Sequence, residues 1–102
     1  MEGHAVISSD ILASYAADAA REVEGVVGLV DGHLPRRGSG VRIVEEGERV
    51  RVELRLRVAW GASIPEVGRT VQRRVREYLG RMADVEPETV DVVIDEIEPP
   101  PR

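Results

Sequence analysis

The sequence predicts an α+β domain in two layers, with two helices packed on one face of a small mixed β-sheet in the element order α-β-β-β-α-β. Two segments carry apolar residues at every third or fourth position, the spacing of a helix with one buried side. A third segment alternates between apolar and charged residues, as a strand with one buried face does. With 102 residues, 42% hydrophobic and 32% charged, the chain fits one domain. We place that domain at residues 1–98 and a proline-rich tail at 99–102.

The first helix is predicted over residues 8–24, because Ser8 or Ser9 is a good N-cap and Gly25 is a good terminator. Its predicted buried stripe consists of Ile11, Leu12, Tyr15, Ala16, Ala19 and Val23. A β-branched run at residues 26–30 then predicts a short strand that ends at Asp31-Gly32.

An antiparallel hairpin is predicted from residues 41–44 and 49–60, joined by a polar turn at 45–48 that contains a glycine. The longer strand is expected to bury Val50, Val52, Leu54, Leu56, Val58 and Trp60. Its opposite face carries Arg49, Arg51, Glu53, Arg55 and Arg57. We therefore expect a sheet with one dry and one wet face.

The second helix is predicted from Ser63 to about Ala83, with Ser63 and Glu66 forming a capping box. Its expected buried stripe consists of Ile64, Val67, Val71, Val75, Tyr78, Leu79 and Met82. Its expected water-facing arginines are Arg69, Arg73 and Arg76. A last strand follows, with Val90, Val92 and Ile94 inward and Pro99 at its end.

The residue inventory argues against catalysis. The chain has no cysteine, which excludes disulfides, thiolate metal sites and thiol nucleophiles. His4 and His33 are far apart in sequence and are expected to be solvated, so we predict no catalytic, cofactor-binding or metal residues. The net charge of −5 and pI near 5.0 disfavour non-specific nucleic-acid binding. The three aromatic residues, Tyr15, Trp60 and Tyr78, are all expected on buried stripes, which leaves no stacking platform for bases.

Several short motifs together resemble the alkaline shock protein family of envelope-stress proteins, which includes the general-stress type. They are Val23-Glu24-Gly25-Val26 after the first helix, Trp60-Gly61, Ile64-Pro65-Glu66-Val67, and a closing Val-x-Val strand. Two departures stand out: Asp91 replaces the asparagine that the family commonly carries, and Ala83-Asp84 replaces the usual Thr-Gly. The resemblance covers nearly the whole chain.

The resemblance implies a non-enzymatic cytoplasmic protein of Gram-positive-type bacteria that acts in envelope homeostasis and stress. It also implies self-association, recruitment by a small integral-membrane anchor protein, or both, with no cofactor. The expected location is cytoplasmic, with indirect attachment at the inner face of the membrane. The opening residues do not resemble a secretory signal, and no stretch is long and apolar enough to span a bilayer.

The wet sheet face is the candidate interface, because a few apolar residues amid mixed charge are typical of protein contacts. Its predicted members are Val44, Arg51, Arg55, Arg57, Asp91, Val93, Asp95 and Ile97. Scattered surface hydrophobes, or cover by a chain terminus, explain the same pattern. An RNA-binding module of K-homology-like topology is the alternative function, although the diagnostic Gly-x-x-Gly loop is missing. An enzyme of unknown type is a third reading.

Overall fold

The computed structural model describes residues 7–30 and 40–101. Its elements are α1 (Ser9–Arg21), β1 (Val26–Leu29), β2 (Val41–Glu46), β3 (Arg49–Val58), α2 (Ile64–Ala83) and β4 (Thr89–Ile97). The predicted α+β class and element order are confirmed. His4, His33 and the Asp31-Gly32 strand end lie outside the described residues.

Strand β3 occupies the centre of a mixed four-stranded sheet. β2 pairs with its first half in antiparallel register, with Ile43 opposite Val52. β1 pairs, also antiparallel, with its last residues, so that Val26 lies opposite Val58. β4 runs parallel to β3 along the other edge. The sheet is thus three strands wide at any point, although it contains four strands.

β1 and β2 meet at one residue of β3. The Val30 amide donates to the Arg55 carbonyl at 2.8 Å, and the Arg55 amide donates to the Gly40 carbonyl at 2.9 Å. Because the N–H and C=O of one strand residue point to the same side, both strands lie on the same edge of β3. Together they act as one interrupted edge strand.

The core lies between the helices and the even-numbered side chains of β3. Val52, Leu54, Leu56 and Val58 are completely buried, which confirms the predicted dry face up to Val58. The helices contribute mainly Leu12, Ala16, Ala20, Val67, Val71, Val75 and Leu79. The alanines of α1 have almost no side chain, so this helix packs close to its neighbours.

Three residues assigned to buried helical stripes are exposed instead. Ile11, Ile64 and Met82 have exposed fractions of 46%, 38% and 45%. Ile64 and Met82 lie in the first and last turns of α2. The buried stripe of α2 is therefore narrower than predicted and consists of Val67, Val71, Val75 and Leu79. The buried side of α1 is instead displaced, because it also includes Ala13, Ala17 and Ala20.

The helix ends agree only in part with the sequence signals. The Ser8 hydroxyl caps α1 by accepting the Ile11 amide at 3.2 Å, as predicted. Ser63 is the N-cap of α2, but the predicted capping box is wrong because its side chain makes no cap hydrogen bond. Only its carbonyl is used, accepting the Val67 amide at 2.9 Å. At the other end, Asp84 has a left-handed backbone with φ +55°.

Leu54→Ala is expected to lower the free energy of unfolding by about 2–5 kcal/mol, because it empties a fully enclosed position at the centre of the core. A urea titration measures this. Val27→Ala, at a position with 41% exposure, is the control and should change stability by less than about 0.5 kcal/mol. A Leu54→Ala effect as small as that of the control would contradict the assigned core.

Asp84→Gly is expected to raise the free energy of unfolding by up to about 1 kcal/mol, since only glycine adopts a left-handed backbone without steric cost. Thermal unfolding measures the change. The reverse replacement, Gly80→Ala, tests the interior of α2. A Cβ at this position meets open space, so alanine should raise the free energy of unfolding by about 0.5–1 kcal/mol. A less stable Asp84→Gly variant would show that the aspartate side chain itself supports the helix end.

Candidate functional site

The sheet surface opposite the helices carries mostly charged side chains, and we call it the charged face. The strict alternation of β3 creates it, because burying the even-numbered residues turns the odd-numbered ones outward. Register places the side chains of β2 and β4 beside them. The charged face comprises Arg42, Val44, Glu46, Arg49, Arg51, Glu53, Arg55, Arg57, Asp91, Val93, Asp95 and Glu96.

Every arginine of the charged face has a carboxylate partner, which lies on a neighbouring strand except for Glu88, the partner of Arg49 at 3.8 Å, directly before β4. The nitrogen–oxygen distances are 2.9 Å for Arg55–Asp95, 3.3 Å for Arg57–Glu96, 3.5 Å for Arg51–Glu46 and 3.6 Å for Arg42–Glu53. Because these side chains are partly exposed, each pair contributes at most about 1 kcal/mol to stability. Their main consequence is electrostatic: the surface largely neutralises itself.

Two valines lie within this charged lattice, as the sequence predicts. Val93 is in register with Arg55 and is 47% exposed. Val44 is in register with Arg51 and is half-buried. Asp91 lies opposite Glu53, and within the described residues it has no ion pair. The structure therefore brings seven of the eight candidate interface residues to one face.

Ile97 is the exception, and its predicted position on the wet face is wrong. The register of β4 slips after Leu56, so that Ile94 pairs with Leu56 but Glu96 pairs with Arg57. This bulge turns two consecutive acidic side chains toward the arginines and puts Ile97 in register with Val58, on the helix side. The sequence contains one signal of this bulge. If the alternation of Val90, Val92 and Ile94 continued without interruption, the charged side chain of Glu96 would be buried.

A second site, which sequence reasoning missed, is an open cleft at the end of β3. We call it the tryptophan cleft; its volume is about 650 Å³. Its lining residues are Glu22, Val23, Glu24, Gly25, Ala59, Trp60, Gly61, Ala62, Ser63, Glu66, Val67, Thr70 and Arg74. The elements that form it are the α1–β1 turn, the β3–α2 connection and the first turns of α2.

Trp60 lies at this cleft and not in the core. The strand ends at Val58, and a turn closed by the Ala62 amide on the Ala59 carbonyl at 3.2 Å takes the chain out of extended geometry. Gly61 in that turn has φ +86°. The alternation of buried and exposed residues therefore ends with Val58, two residues before Trp60. The Trp60 side chain, which the alternation assigned to the dry face, is 58% exposed.

The walls of the cleft are held together by one hydrogen bond and one tight glycine. The Ala59 amide donates to the Gly25 carbonyl at 2.8 Å. Gly25 has φ +98°, and a Cβ there would lie 2.8 Å from Cγ2 of Val67. Val23 and Val67, both buried, form the apolar floor. The glycine of the Val23-Glu24-Gly25-Val26 motif is therefore required by both its backbone conformation and its contact.

The exposed side of α2 makes two hydrogen bonds that the sequence does not predict. Nη1 of Arg76 donates to the Pro87 carbonyl at 2.7 Å, and Nε2 of Gln72 donates to the Val90 carbonyl at 3.0 Å. These bonds tie α2 to the approach and start of β4. Arg69, Arg73 and Arg76 are exposed, as predicted, and Arg76 makes this structural contact in addition.

The described residues meet neither the requirements of a metal centre with three or more ligand side chains nor those of a membrane-spanning helix. In residues 7–30 and 40–101, no group of three or more histidine, cysteine, aspartate and glutamate side chains is arranged to hold a metal ion. The same described part of the chain contains no helix with the length and hydrophobicity that crossing a membrane requires.

Comparison with known proteins identifies the family of this chain and one relative. A family model for the alkaline shock protein 23 family, described as having a cell envelope-related function, matches residues 1–99. The chain belongs to this family. The family resemblance expected from the short motifs is confirmed. A relative is the uncharacterized protein YloU of Bacillus subtilis (strain 168), 24% identical over 103 residues, covering 90% of this chain and 86% of YloU.

Solved structures share the fold of this family member at low sequence identity. The MamM CTD in its copper form is 18% identical with a TM-score of 0.64, covering 90% of this chain and 79% of that one. A nickel form of a MamM CTD variant is 16% identical with a TM-score of 0.57, covering 87% and 99%. At this level of identity the likeness concerns the fold alone.

Gly25→Ala is expected to destabilise the protein by about 1–3 kcal/mol, because alanine is strained at φ +98° and its methyl group clashes with Val67. Chemical denaturation measures the loss. Gly28→Ala is the matched control, since a Cβ at this position of β1 meets open space. Equal stabilities of the two variants would contradict the close contact between the α1–β1 turn and α2.

Proposed function

We propose that the chain is a non-catalytic interaction module of the cytoplasmic side of the cell envelope. In this proposal it assembles with itself through the charged face, is recruited by a small membrane-anchored partner protein, or does both. Family membership supports the envelope context, since the alkaline shock protein 23 family has a cell envelope-related function. The proposal needs no cofactor and no metal.

The observation that carries the proposal is the exposure of Val93 in the middle of the charged face. A β-branched aliphatic side chain that is 47% exposed gains free energy when a partner surface covers it. The charges around it are already paired within the protein. Burying paired charges costs far less than burying unpaired ones, so this surface is suited to reversible contact.

The burial pattern supports a non-catalytic role. Among the described residues, no polar or charged side chain belongs to the buried class. Catalytic acids, bases and nucleophiles usually lie in desolvated clefts, where burial and neighbouring charges tune them. The metals named for the MamM CTD structures are not carried over, because the likeness concerns the fold alone and the described residues contain no group of three or more potential ligand side chains that could hold a metal ion.

RNA binding, the alternative suggested by the element order, has less support. The net charge is −5, and the charged face bears no aromatic side chain on which a base could stack. The exposed aromatic residue, Trp60, lies beside Glu22, Glu24 and Glu66, which repel phosphate. Salt-dependent binding of single-stranded RNA would favour the alternative.

Val93→Glu is expected to reduce self-association at least tenfold, because it replaces the exposed apolar side chain by an additional charge in the centre of the proposed contact, beside Arg55, which is already paired with Asp95. The apparent melting temperature of the dilute protein should stay within about 2 °C of the wild type, since the side chain lies outside the core. Sedimentation velocity over a concentration series measures association.

Ile11→Glu is the matched control, because Ile11 is exposed to 46% but belongs to the helical layer. It should leave association unchanged. A wild-type chain that stays monomeric at every concentration overturns self-association. Recruitment is tested separately by retention of the wild type, but not of Val93→Glu, on membranes that hold the partner; equal retention would exclude the charged face as the contact.

A further inference from the structure

We propose that the tryptophan cleft binds an arginine- or lysine-containing peptide segment of a partner protein. The cation lies against the Trp60 ring, and the carboxylates of Glu22, Glu24 and Glu66 surround it. The cleft and the charged face are separate surfaces, so the proposal does not depend on self-association. It adds a recognition site to the module.

The exposure of Trp60 is the first argument. Tryptophan offers the largest apolar surface of any side chain, yet here 58% of it is left in water although the core lies two residues earlier in the chain. Tryptophan is also strongly enriched among the residues that dominate binding energy at protein interfaces. Its ring is the best aromatic partner for a cation, and an arginine of the partner can stack on it.

The charge around the ring is the second argument. Three carboxylates and one guanidinium, that of Arg74, line the cleft, which leaves a formal excess of two negative charges. Within the described residues, none of the three glutamates has an ion pair. This differs from the charged face, where every arginine is paired with a carboxylate. The cleft therefore keeps unneutralised charge for a ligand.

The position of two of these glutamates is the third argument. Glu22 is the C-cap of α1, and Glu24 follows in the same turn. The C-terminal end of a helix carries partial negative charge, so acidic residues there reduce stability. If stability alone determined the residues at these two positions, neutral or basic side chains would be favoured. The helix end and the two carboxylates together create a negative potential that a cationic side chain neutralises.

The size of the cleft defines how much of a partner it holds. A volume of about 650 Å³ fits a few side chains and is too small for a folded domain. The floor formed by Val23 and Val67 is apolar, so an aliphatic residue next to the cation is favoured. Phosphate-bearing occupants, such as RNA or an anionic lipid surface, are disfavoured by the glutamates.

Trp60 is the only tryptophan of the chain, so its intrinsic fluorescence reports on the cleft directly. The probe is the blocked peptide acetyl-Gly-Arg-Leu-Arg-Gly-amide. Two controls replace both arginines, one by the uncharged isostere citrulline and one by aspartate. We expect saturable quenching or a shift of the emission with the arginine peptide, binding at least tenfold weaker with citrulline, and no binding with aspartate. Binding should weaken as salt concentration rises.

The double variant Glu24→Gln/Glu66→Gln should bind the arginine peptide at least tenfold more weakly than the wild type. Glu48→Gln/Glu86→Gln is the matched control: it removes the same charge from two exposed positions outside the cleft and should bind as the wild type does. Trp60→Ala, measured by calorimetry, should also lose at least tenfold. Val93→Glu should keep full peptide affinity, which separates this proposal from the function of the charged face.

Three results would overturn the proposal. One is an arginine peptide that fails to bind the wild type below about 1 mM. Another is equal affinity for the arginine and citrulline peptides, or for the two double variants. The last is a stronger fluorescence response to single-stranded RNA or to phosphatidylglycerol vesicles than to the peptide, which would assign the cleft to phosphate-bearing ligands.

Discussion

In the described sheet, every strand hydrogen-bonds to β3, and the other three strands do not pair with one another. The one-residue alternation of this strand therefore decides which side chains of the whole sheet face the helices. Val52, Leu54, Leu56 and Val58 bind both helices to the sheet by burial, while the arginines between them can only face outward. Core and charged face are two consequences of one pattern, since a shift of one residue would exchange them.

Sequence reasoning succeeded where one periodic pattern determined the structure. The hairpin, both helices and the last strand follow from local alternation or from helical spacing, because burial of one side enforces each pattern. The parallel pairing of β4 with β3 does not follow from alternation. Placing Val44 and Val93 among the arginines needed only the additional rule that paired residues share a face.

Prediction from the sequence failed where a strand ends or where its register shifts, because neither event changes the types of residue along the chain. In the amino-acid sequence, Trp60 continues the spacing of large apolar residues at every second position, but the backbone leaves the extended strand before it reaches Trp60. Ile97 is displaced by a bulge that only the Asp95-Glu96 pair reveals. The tryptophan cleft was out of reach for another reason: its walls are distant in sequence and meet through the Ala59–Gly25 hydrogen bond. The hydrogen bond of the exposed Arg76 was not predicted because its acceptor is a backbone carbonyl, which sequence patterns do not show.

The two surfaces differ in how they treat charge, and this suits different kinds of contact. On the charged face, ion pairs such as Arg55–Asp95 are formed before any partner arrives, so a second surface gains mainly from apolar contact and shape. In the tryptophan cleft, the carboxylates keep their charge, so a cationic ligand gains electrostatic attraction as well. A contact there should depend more strongly on ionic strength than a contact at the sheet.

The junction at Arg55 makes the chain tolerant of length variation at one point. Residues 30 and 40 are both held by the backbone of this single β3 residue, so the ends of whatever chain joins them stay in place. The entropic cost of a longer connection grows only with the logarithm of its length, by about 0.6 kcal/mol per doubling. Relatives with longer or shorter segments here would keep the same sheet. A reporter domain inserted at this point would lie beside Arg42, Arg55 and Asp95 of the charged face and away from the tryptophan cleft.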